Sequence, residues 1–96
     1  MVLEIAQIEV TPGKEAAFEA AVAQAKPLFA RAKGCKAMSL QRSVEKPSRY
    51  RLFVEWETIE DHTVAFRGSA DFQAWRGLAG PFFASPPEVE HVVKAV

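Results

Sequence analysis

The chain has 96 residues, of which 49% are hydrophobic and 25% are charged, and its formal net charge is zero. A chain of this length predicts one domain, residues 1–96, with a thin core. Nucleic acids and anionic membranes select a clustered positive surface, so the balanced charge argues against both as partners. The N-terminus does not resemble a signal peptide and no apolar run reaches the ~18 residues of a membrane span, so we expect a cytoplasmic protein.

The first part of the chain predicts a strand followed by a helix. Residues 2–10 are rich in Val, Ile and Leu, as strands are. Thr11 suits the N-cap and Pro12 the first position of the helix that follows. Apolar residues at spacings of three and four predict its buried face: Phe18, Ala21, Val22, Ala25, Phe29 and Ala32. Pro27 should kink or end this helix, and Gly34 marks its stop.

Two strands are predicted next, over residues 35–44 and 49–58, with a turn at 45–48. In the second strand, alternate side chains fall on opposite faces. One set is wholly apolar: Tyr50, Leu52, Val54 and Trp56. The other set is mainly charged, which indicates that helices cover only one side of the sheet. Cys35, at the start of the first of these strands, is the single cysteine and is expected to be a small buried residue. One cysteine excludes an intrachain disulfide, and no Cys/His cluster suggests a metal, so we predict no metal and no cofactor.

The remainder of the chain predicts a broken helical region and a last strand. Thr58 and Asp61 have the spacing of a capping box. The helix that it opens ends at Gly68 and places four residues on one face: Ile59, His62, Thr63 and Phe66. Ser69 can cap a further helix with an apolar stripe: Phe72, Trp75 and Ala79. Residues 80–87 are too rich in proline for regular structure, and residues 88–96 predict the final strand.

The element order is therefore β-α-β-β-α-β, which predicts an α+β, ferredoxin-like fold: a split β-α-β antiparallel sheet with helices on one face. The other face of such a sheet needs cover, because several strands carry apolar residues on both sides. A second copy of the chain would supply it, so we expect a homodimer.

The middle of the chain also resembles a known family. Residues 50–57 have the sequence YRLFVEWE, an aromatic-led strand that ends in Trp and an acidic residue. The pattern continues with Asp61, His62, Phe66, Ser69 and Phe72. This is similar to the central signature of the antibiotic biosynthesis monooxygenase (ABM) family. The resemblance implies a dimeric α+β barrel with a pocket between each subunit's sheet and its helices. It also implies oxidation of phenols or hydroquinones by O2 without metal or flavin, although some members degrade haem.

Cofactor-free oxygenation needs a dry cavity, a base and a group that stabilises an anion. His62 is the candidate base, because an ordinary histidine titrates near neutral pH; alternatively, it is a buried histidine that holds its helix to the sheet. The resemblance implies Trp56 and Arg76 as catalytic residues, alongside an asparagine that this chain lacks. Leu52 occupies the corresponding strand position, and the chain contains no asparagine at all. The candidate substrate-binding walls, which are otherwise core residues, are Phe66, Phe72, Trp75, Phe82 and Phe83.

Three functions are compatible with this pattern. The first is a cofactor-independent monooxygenase acting on a small phenolic, quinol or polyketide-like aromatic. The second is a non-catalytic dimeric protein that binds a small ligand or acts in a stress response. The third is haem binding or degradation, for which His62 would be the axial ligand. Two further features stay open: His91 could pack or belong to an interface, and residues 80–87 could form a lid, a pocket wall or a dimer contact.

Overall fold

A four-stranded antiparallel sheet organises the molecule, and the structure, a computed structural model, describes residues 1–96. The strands are β1 (Val2–Glu9), β2 (Cys35–Arg42), β3 (Arg49–Trp56) and β4 (Glu88–Val92), in the spatial order β2-β3-β1-β4. The helices are α1 (Glu15–Ala30), a π-helix (Asp61–Phe66), α2 (Ala70–Ala79) and a 3-10 turn (Gly80–Phe82). The helices pack on one face of the sheet, which confirms the predicted ferredoxin-like α+β fold. None of them is long and apolar enough to cross a membrane.

Helix α1 covers the sheet with the predicted residues except Ala32, which is half-buried beyond the end of the helix, and it begins later than predicted. Its buried side chains are Phe18, Ala21, Val22, Ala25 and Phe29. Thr11 and Pro12 do not open the helix. They belong to a turn in which Gly13 has a φ of 91°, and the Lys14 amide donates to the Thr11 carbonyl over 3.0 Å. Lys14 is the N-cap residue, and Pro27 lies inside the helix without ending it.

The connection from α1 to β2 depends on Gly34, as predicted. Its φ of 79° is a left-handed conformation that favours glycine. A Cβ atom at this position would lie 2.0 Å from Oδ2 of Asp61, so space as well as backbone conformation requires glycine here. We define the second helical region as the π-helix together with α2. The buried carboxyl group of Asp61 packs against Gly34 and so positions this region near the end of α1.

The strands are shorter than predicted at their C-terminal ends. β2 stops at Arg42 and β3 at Trp56, while β4 stops at Val92. Val44 is almost fully exposed, and residues 93–96 pair with no strand, because they lie beyond the last partner residues of β1. The predicted inward face of β3 is correct, since its four apolar residues are fully buried: Tyr50, Leu52, Val54 and Trp56.

The second helical region begins and is broken where the sequence indicates. The Thr58 hydroxyl accepts from the Asp61 amide over 3.2 Å, and the Ser69 hydroxyl accepts from the Phe72 amide over 3.1 Å. Between these caps the turn is wider than in an α-helix, because the Arg67 amide donates to the carbonyl five residues earlier, that of His62. His62 and Phe66 face inward, whereas Ile59, predicted on the same face, is exposed.

Candidate functional site

A cavity of about 700 Å³ lies between the sheet and α2. Its floor consists of side chains from three strands: Glu4, Ala6, Ile8, Leu52 and Val89. Its wall consists of residues of the second helical region, and of Arg67 between its two helices: His62, Arg67, Phe72, Trp75 and Arg76. Residues 83–87 close one side. This volume lies within the range of small-molecule sites, and the lining combines apolar surface with a few polar groups.

Backbone hydrogen bonds to the end of β1 hold the closing loop in place. The Ala84 amide donates to the Glu9 carbonyl over 2.7 Å, and the Thr11 amide donates to the Phe82 carbonyl over 2.9 Å. The side chains of Phe82 and Phe83 both pack against Phe18. Phe83 in addition lines the cavity. The loop is therefore both a cover for the core and a wall of the cavity, two of the roles that the sequence left open.

The polar end of the cavity is built around Glu4, which is only 5% exposed. Its Oε1 atom accepts a hydrogen bond from Trp56 Nε1 at 3.0 Å and lies 3.3 Å from His62 Nε2. Burial raises the pKa of the Glu4 carboxyl group, while the Trp56 hydrogen bond and the charge of Arg67 act in the opposite direction. A carboxyl group in such surroundings can exchange a proton nearer to neutral pH than an ordinary glutamate.

His62 is buried within this polar end and is fully engaged by its neighbours. Its Nδ1 lies 2.7 Å from Nε2 of His91, and its ring stacks on Trp56 with 5.2 Å between centroids. Burial, with the charges of Arg67 and His91, lowers the pKa of His62 from 6.5 to about 4. The ring is therefore neutral near pH 7, and neither nitrogen is free to bind the iron of a haem.

Two arginines supply positive charge at the rim of the cavity. Arg67 follows the π-helix, and its charge acts on Glu4, His62 and His91. Arg76 lies on α2, and its guanidinium carbon is 6.0 Å from the centroid of the Phe72 ring. Both side chains are solvent-exposed, so they can contact a bound anion without being buried themselves.

The structure brings some of the predicted site residues together and separates others. His62, Arg76, Phe72, Trp75 and Phe83 all line the cavity. Trp56 does not; it lies behind Glu4 and contacts the site through that residue. Phe66 and Phe82 were predicted as walls, but both lie outside the lining. Phe66 is a core residue between Phe29 and Trp56.

Sequence reasoning missed Glu4 and Arg67, and it left His91 without a role. Glu4 alternates with Val2, Ala6 and Ile8 on the inward side of β1, so an acidic residue on an otherwise apolar face was the available signal. His91 is paired with Glu4 across the β1–β4 ladder, which brings it within reach of His62. That pairing depends on strand order, which a single sequence does not reveal.

Comparison with known proteins identifies relatives of this chain. The sequence pattern of the family described as antibiotic biosynthesis monooxygenase matches residues 1–78. The crystal structure of a proposed antibiotic biosynthesis monooxygenase from Bordetella bronchiseptica is 58% identical, with a TM-score of 0.97 over 99% of this chain and 97% of that one. The uncharacterised protein YczJ of Bacillus subtilis (strain 168) is 44% identical over 91 residues, 95% of this chain and 96% of the relative.

A more distant structure shows how widely the fold is shared. It is a variant of SnoaB, a cofactor-independent oxygenase from Streptomyces nogalater, which is 20% identical to this chain. The TM-score is 0.83, over 99% of this chain and 93% of SnoaB. At this identity the likeness concerns the fold alone.

Proposed function

The chain belongs to the antibiotic biosynthesis monooxygenase family, and we propose that it is a cofactor-independent monooxygenase that oxidises a small phenolic, quinol or polyketide-like aromatic with O2. The observation that carries the proposal is the cavity between the sheet and α2. One end of it is aromatic, and the other holds a buried carboxyl group beside a neutral histidine. SnoaB, described as a cofactor-independent oxygenase, has the same fold and supports the proposal at that level.

The chemistry of such a reaction matches the two ends of the cavity. Ground-state O2 is a triplet and reacts slowly with closed-shell molecules, but a phenolate can transfer one electron to it. The protein must therefore bind the aromatic ring, remove its hydroxyl proton and stabilise the anion away from water. Phe72, Trp75 and Phe83 offer the ring a flat apolar surface. The polar end offers a proton acceptor.

Arg76 is the proposed stabiliser of the anion, with Arg67 as a second cation. Both line the cavity, so each can face the phenolate or the superoxide that forms from it. Trp56 would act from behind, by holding Glu4, and His62, although it lines the cavity, would also act through Glu4. This assignment differs from the sequence-based hypothesis that His62 is the base, because a histidine with a pKa of about 4 is a weak one.

Oxygen uptake with a panel of hydroquinones and anthrones tests the proposal. We expect wild-type protein to consume O2 with at least one of these compounds, and Arg76→Gln to lose activity. Arg42→Gln is a matched control, because Arg42 lies against Tyr50 on the far side of the core. Uptake equal to that of buffer across the whole panel would contradict the proposal.

A non-catalytic small-ligand-binding protein is the second candidate, and one observation favours it. Leu52 is part of the cavity floor where the resemblance implies an asparagine, and an apolar floor binds an aromatic ring without activating it. Binding of the panel compounds, followed by quenching of the Trp75 and Trp56 fluorescence, without any oxygen uptake would support this function.

We also propose that the protein is a cytoplasmic homodimer. The sheet face opposite the helices carries Leu3, Ile5, Phe53 and Val92, which are incompletely buried in the single chain. A second copy packed on this face would remove them from water. Cys35 is free, as suits a reducing compartment. Light scattering at micromolar concentration should give twice the mass of the chain, and a stable monomer would contradict the dimer.

A further inference from the structure

The carboxyl group of Glu4 has one oxygen engaged and one available. Trp56 and His62 both contact Oε1, while Oε2 has no hydrogen-bond partner in the protein. No completely enclosed side-chain oxygen or nitrogen lacks such a partner. Since Glu4 lines the cavity, Oε2 is the oxygen that a bound molecule can reach.

We propose that Glu4 is the catalytic base of the oxygenation and that His62 and His91 are positioning residues that hold its carboxyl group. The inference rests on the monooxygenase function proposed above and assigns the proton transfer within it. It differs from a purely structural role for Glu4, in which the carboxylate would only anchor the Trp56 indole.

The geometry excludes His62 as the group that takes the substrate proton. Its Nδ1 is occupied by His91 and its Nε2 faces Glu4 Oε1, so no lone pair points into the cavity. For Nε2 to donate to Glu4, Nδ1 must be an acceptor, and Nε2 of His91 must then carry a hydrogen. When Nε2 of His91 donates to Nδ1, His62 carries its own hydrogen on Nε2, the nitrogen that faces Glu4.

One donor and one close ring contact on the same oxygen restrict rotation of the carboxyl group. The hydrogen bond to Oε1 comes from Trp56 on β3, and His62 of the π-helix lies 3.3 Å from the same oxygen, so two elements fixed by the core leave Oε2 as the oxygen toward the cavity. A base held in this way loses little orientational freedom when the substrate binds.

The reaction balances with Glu4 as the only proton carrier. Oε2 takes the phenol hydroxyl proton, the phenolate gives one electron to O2, and the resulting radical and superoxide form a C–O bond. Glu4 returns its proton to the terminal peroxide oxygen. It then removes the hydrogen of the new C–O carbon as a proton, the C–H electron pair forms C=O, and the O–O bond breaks. Glu4 protonates the departing hydroxide to give water. The substrate supplies all four electrons, and the products are a quinone and water.

Charged and titratable groups face Glu4 from four of the surrounding elements. They are Cys35 on β2, His62 and Arg67 on and after the π-helix, Arg76 on α2, and His91 on β4. Arg67 and Arg76 supply the positive charge. His62 and His91 have lowered pKa values, and burial raises that of Cys35, so these three are neutral near pH 7. The acidic limb of the pH profile of kcat/KM should then follow the protonation of Glu4. Its apparent pKa should lie above 4.5, the ordinary pKa of this group.

Glu4→Gln is the decisive variant, because an amide oxygen can still accept from Trp56 but the side chain cannot take a proton. We expect kcat/KM to fall by roughly 10²–10⁴-fold, while affinity for a non-reacting phenol changes only a few-fold. Glu45→Gln is the control: Glu45 is exposed in the turn between β2 and β3 and does not line the cavity. Activity of Glu4→Gln within a few-fold of wild type would overturn the assignment.

The histidine pair is tested with two variants at one position. His91→Phe removes the donor to His62, whereas the amide of His91→Gln can replace it. We expect His91→Phe to lower kcat several-fold with little change in KM and to move the acidic limb, and His91→Gln to restore both. Equal behaviour of the two variants would overturn the positioning role.

A coloured ligand separates failure of this inference from failure of the proposed function. 4-Nitrophenol absorbs visible light only as its anion, so binding shows directly whether the protein takes its proton. Anion formation in wild type and its loss in Glu4→Gln would support Glu4 as the acceptor even if no compound supports oxygen uptake. Equal ionisation in both proteins, or no binding, would overturn it. If Glu4→Gln does not fold, carbon-13 NMR of wild-type Glu4 decides, since its carboxyl signal must move to the protonated position when the anion forms.

Discussion

The two helical regions cover the same face of the same sheet, but they do so differently. Helix α1 is continuous for 16 residues and packs directly on its half of the sheet through fully buried aromatic and small residues. The second helical region is divided at Gly68, contains a wider turn and leaves a cavity of about 700 Å³ between itself and β1. We call the first half closed, because α1 packs directly on the sheet and only a smaller groove of about 540 Å³ lies between α1 and β2, and the second half open, because it holds the larger cavity.

The difference extends to the kind of residue that each half buries. All three buried polar or charged residues of the chain belong to the open half or to its boundary: Glu4, Asp61 and His62. Burying such groups costs free energy unless each has a partner, and here each has one. The closed half therefore provides stability, and the open half accommodates the groups that the proposed chemistry needs.

The sharpest test of this contrast removes one aromatic ring from each half. Phe29 is fully buried on α1 and contacts Phe66 and Trp75 at centroid distances of 5.0 and 5.1 Å. We expect Phe29→Ala to lower the free energy of unfolding by about 3–5 kcal/mol, because a close-packed site cannot collapse around the missing ring. Urea unfolding at a fixed protein concentration measures this loss.

The matching change in the open half is Phe72→Ala. Phe72 is half-buried and lines the cavity, so its removal should cost less than about 2 kcal/mol. It should instead weaken binding of aromatic ligands, which Phe29→Ala should alter only through stability. Similar stability losses in the two variants would contradict the distinction between a closed and an open half.

The next largest expected effect is a pH dependence of the free energy of unfolding, which originates in the open half. His62 has a pKa of about 4 in the folded protein and an ordinary value of 6.5 when unfolded. As the pH falls from 6.5 to 4, the unfolded state gains a proton that the folded state does not accept, so stability is lost by up to about 3 kcal/mol. Above 6.5 the residue contributes no pH dependence.

Glu4 acts in the opposite sense within the same range, because its pKa is raised in the folded state. The measurement is therefore best made in Glu4→Gln, with and without a second change, His62→Gln. We expect the single variant to lose stability as the pH falls and the double variant to lose clearly less. If stability fell with pH in parallel in the two proteins, His62 would take up its proton in the folded state at its ordinary pKa, and the prediction would be wrong.

The closed half was predictable from the sequence, and the open half was predictable only in part. The residues of α1 and β3 that form the core follow from spacing alone, because a buried helix or strand face repeats at a fixed interval. Phe72 and Trp75 were found in the same way. Glu4 was not, since one acidic residue in a strand usually faces solvent, and its burial depends on partners distant in sequence.

Helix boundaries show the same limit on a smaller scale. The Ser69 cap was predicted correctly, because its hydroxyl has the amide of Phe72 within reach three residues later. The Thr11 cap was wrong, because Gly13 takes a left-handed conformation and delays the helix to Glu15. Both threonine and serine satisfy the sequence rule, and only the conformation of the following glycine separates the two cases.

That contrast yields the smallest of the expected effects. The Ser69 hydroxyl accepts from the Phe72 amide and donates to the Phe66 carbonyl over 2.6 Å, so it joins the π-helix to α2. We expect Ser69→Ala to cost about 1 kcal/mol. Lys14→Ala should leave thermal stability nearly unchanged, since the N-cap residue of α1 makes no side-chain hydrogen bond.

Because α2 carries Phe72 and Arg76, fraying at its first turn should also loosen the wall of the cavity. Amide hydrogen exchange can detect this, with faster exchange expected at residues 72–76 in Ser69→Ala and unchanged exchange in α1. Uniformly faster exchange in both helices would mean that the two regions open together, so the closed half would not be stable independently of the open one. Exchange confined to α2 would instead assign the motion to the half that holds the cavity, where ligand entry requires it.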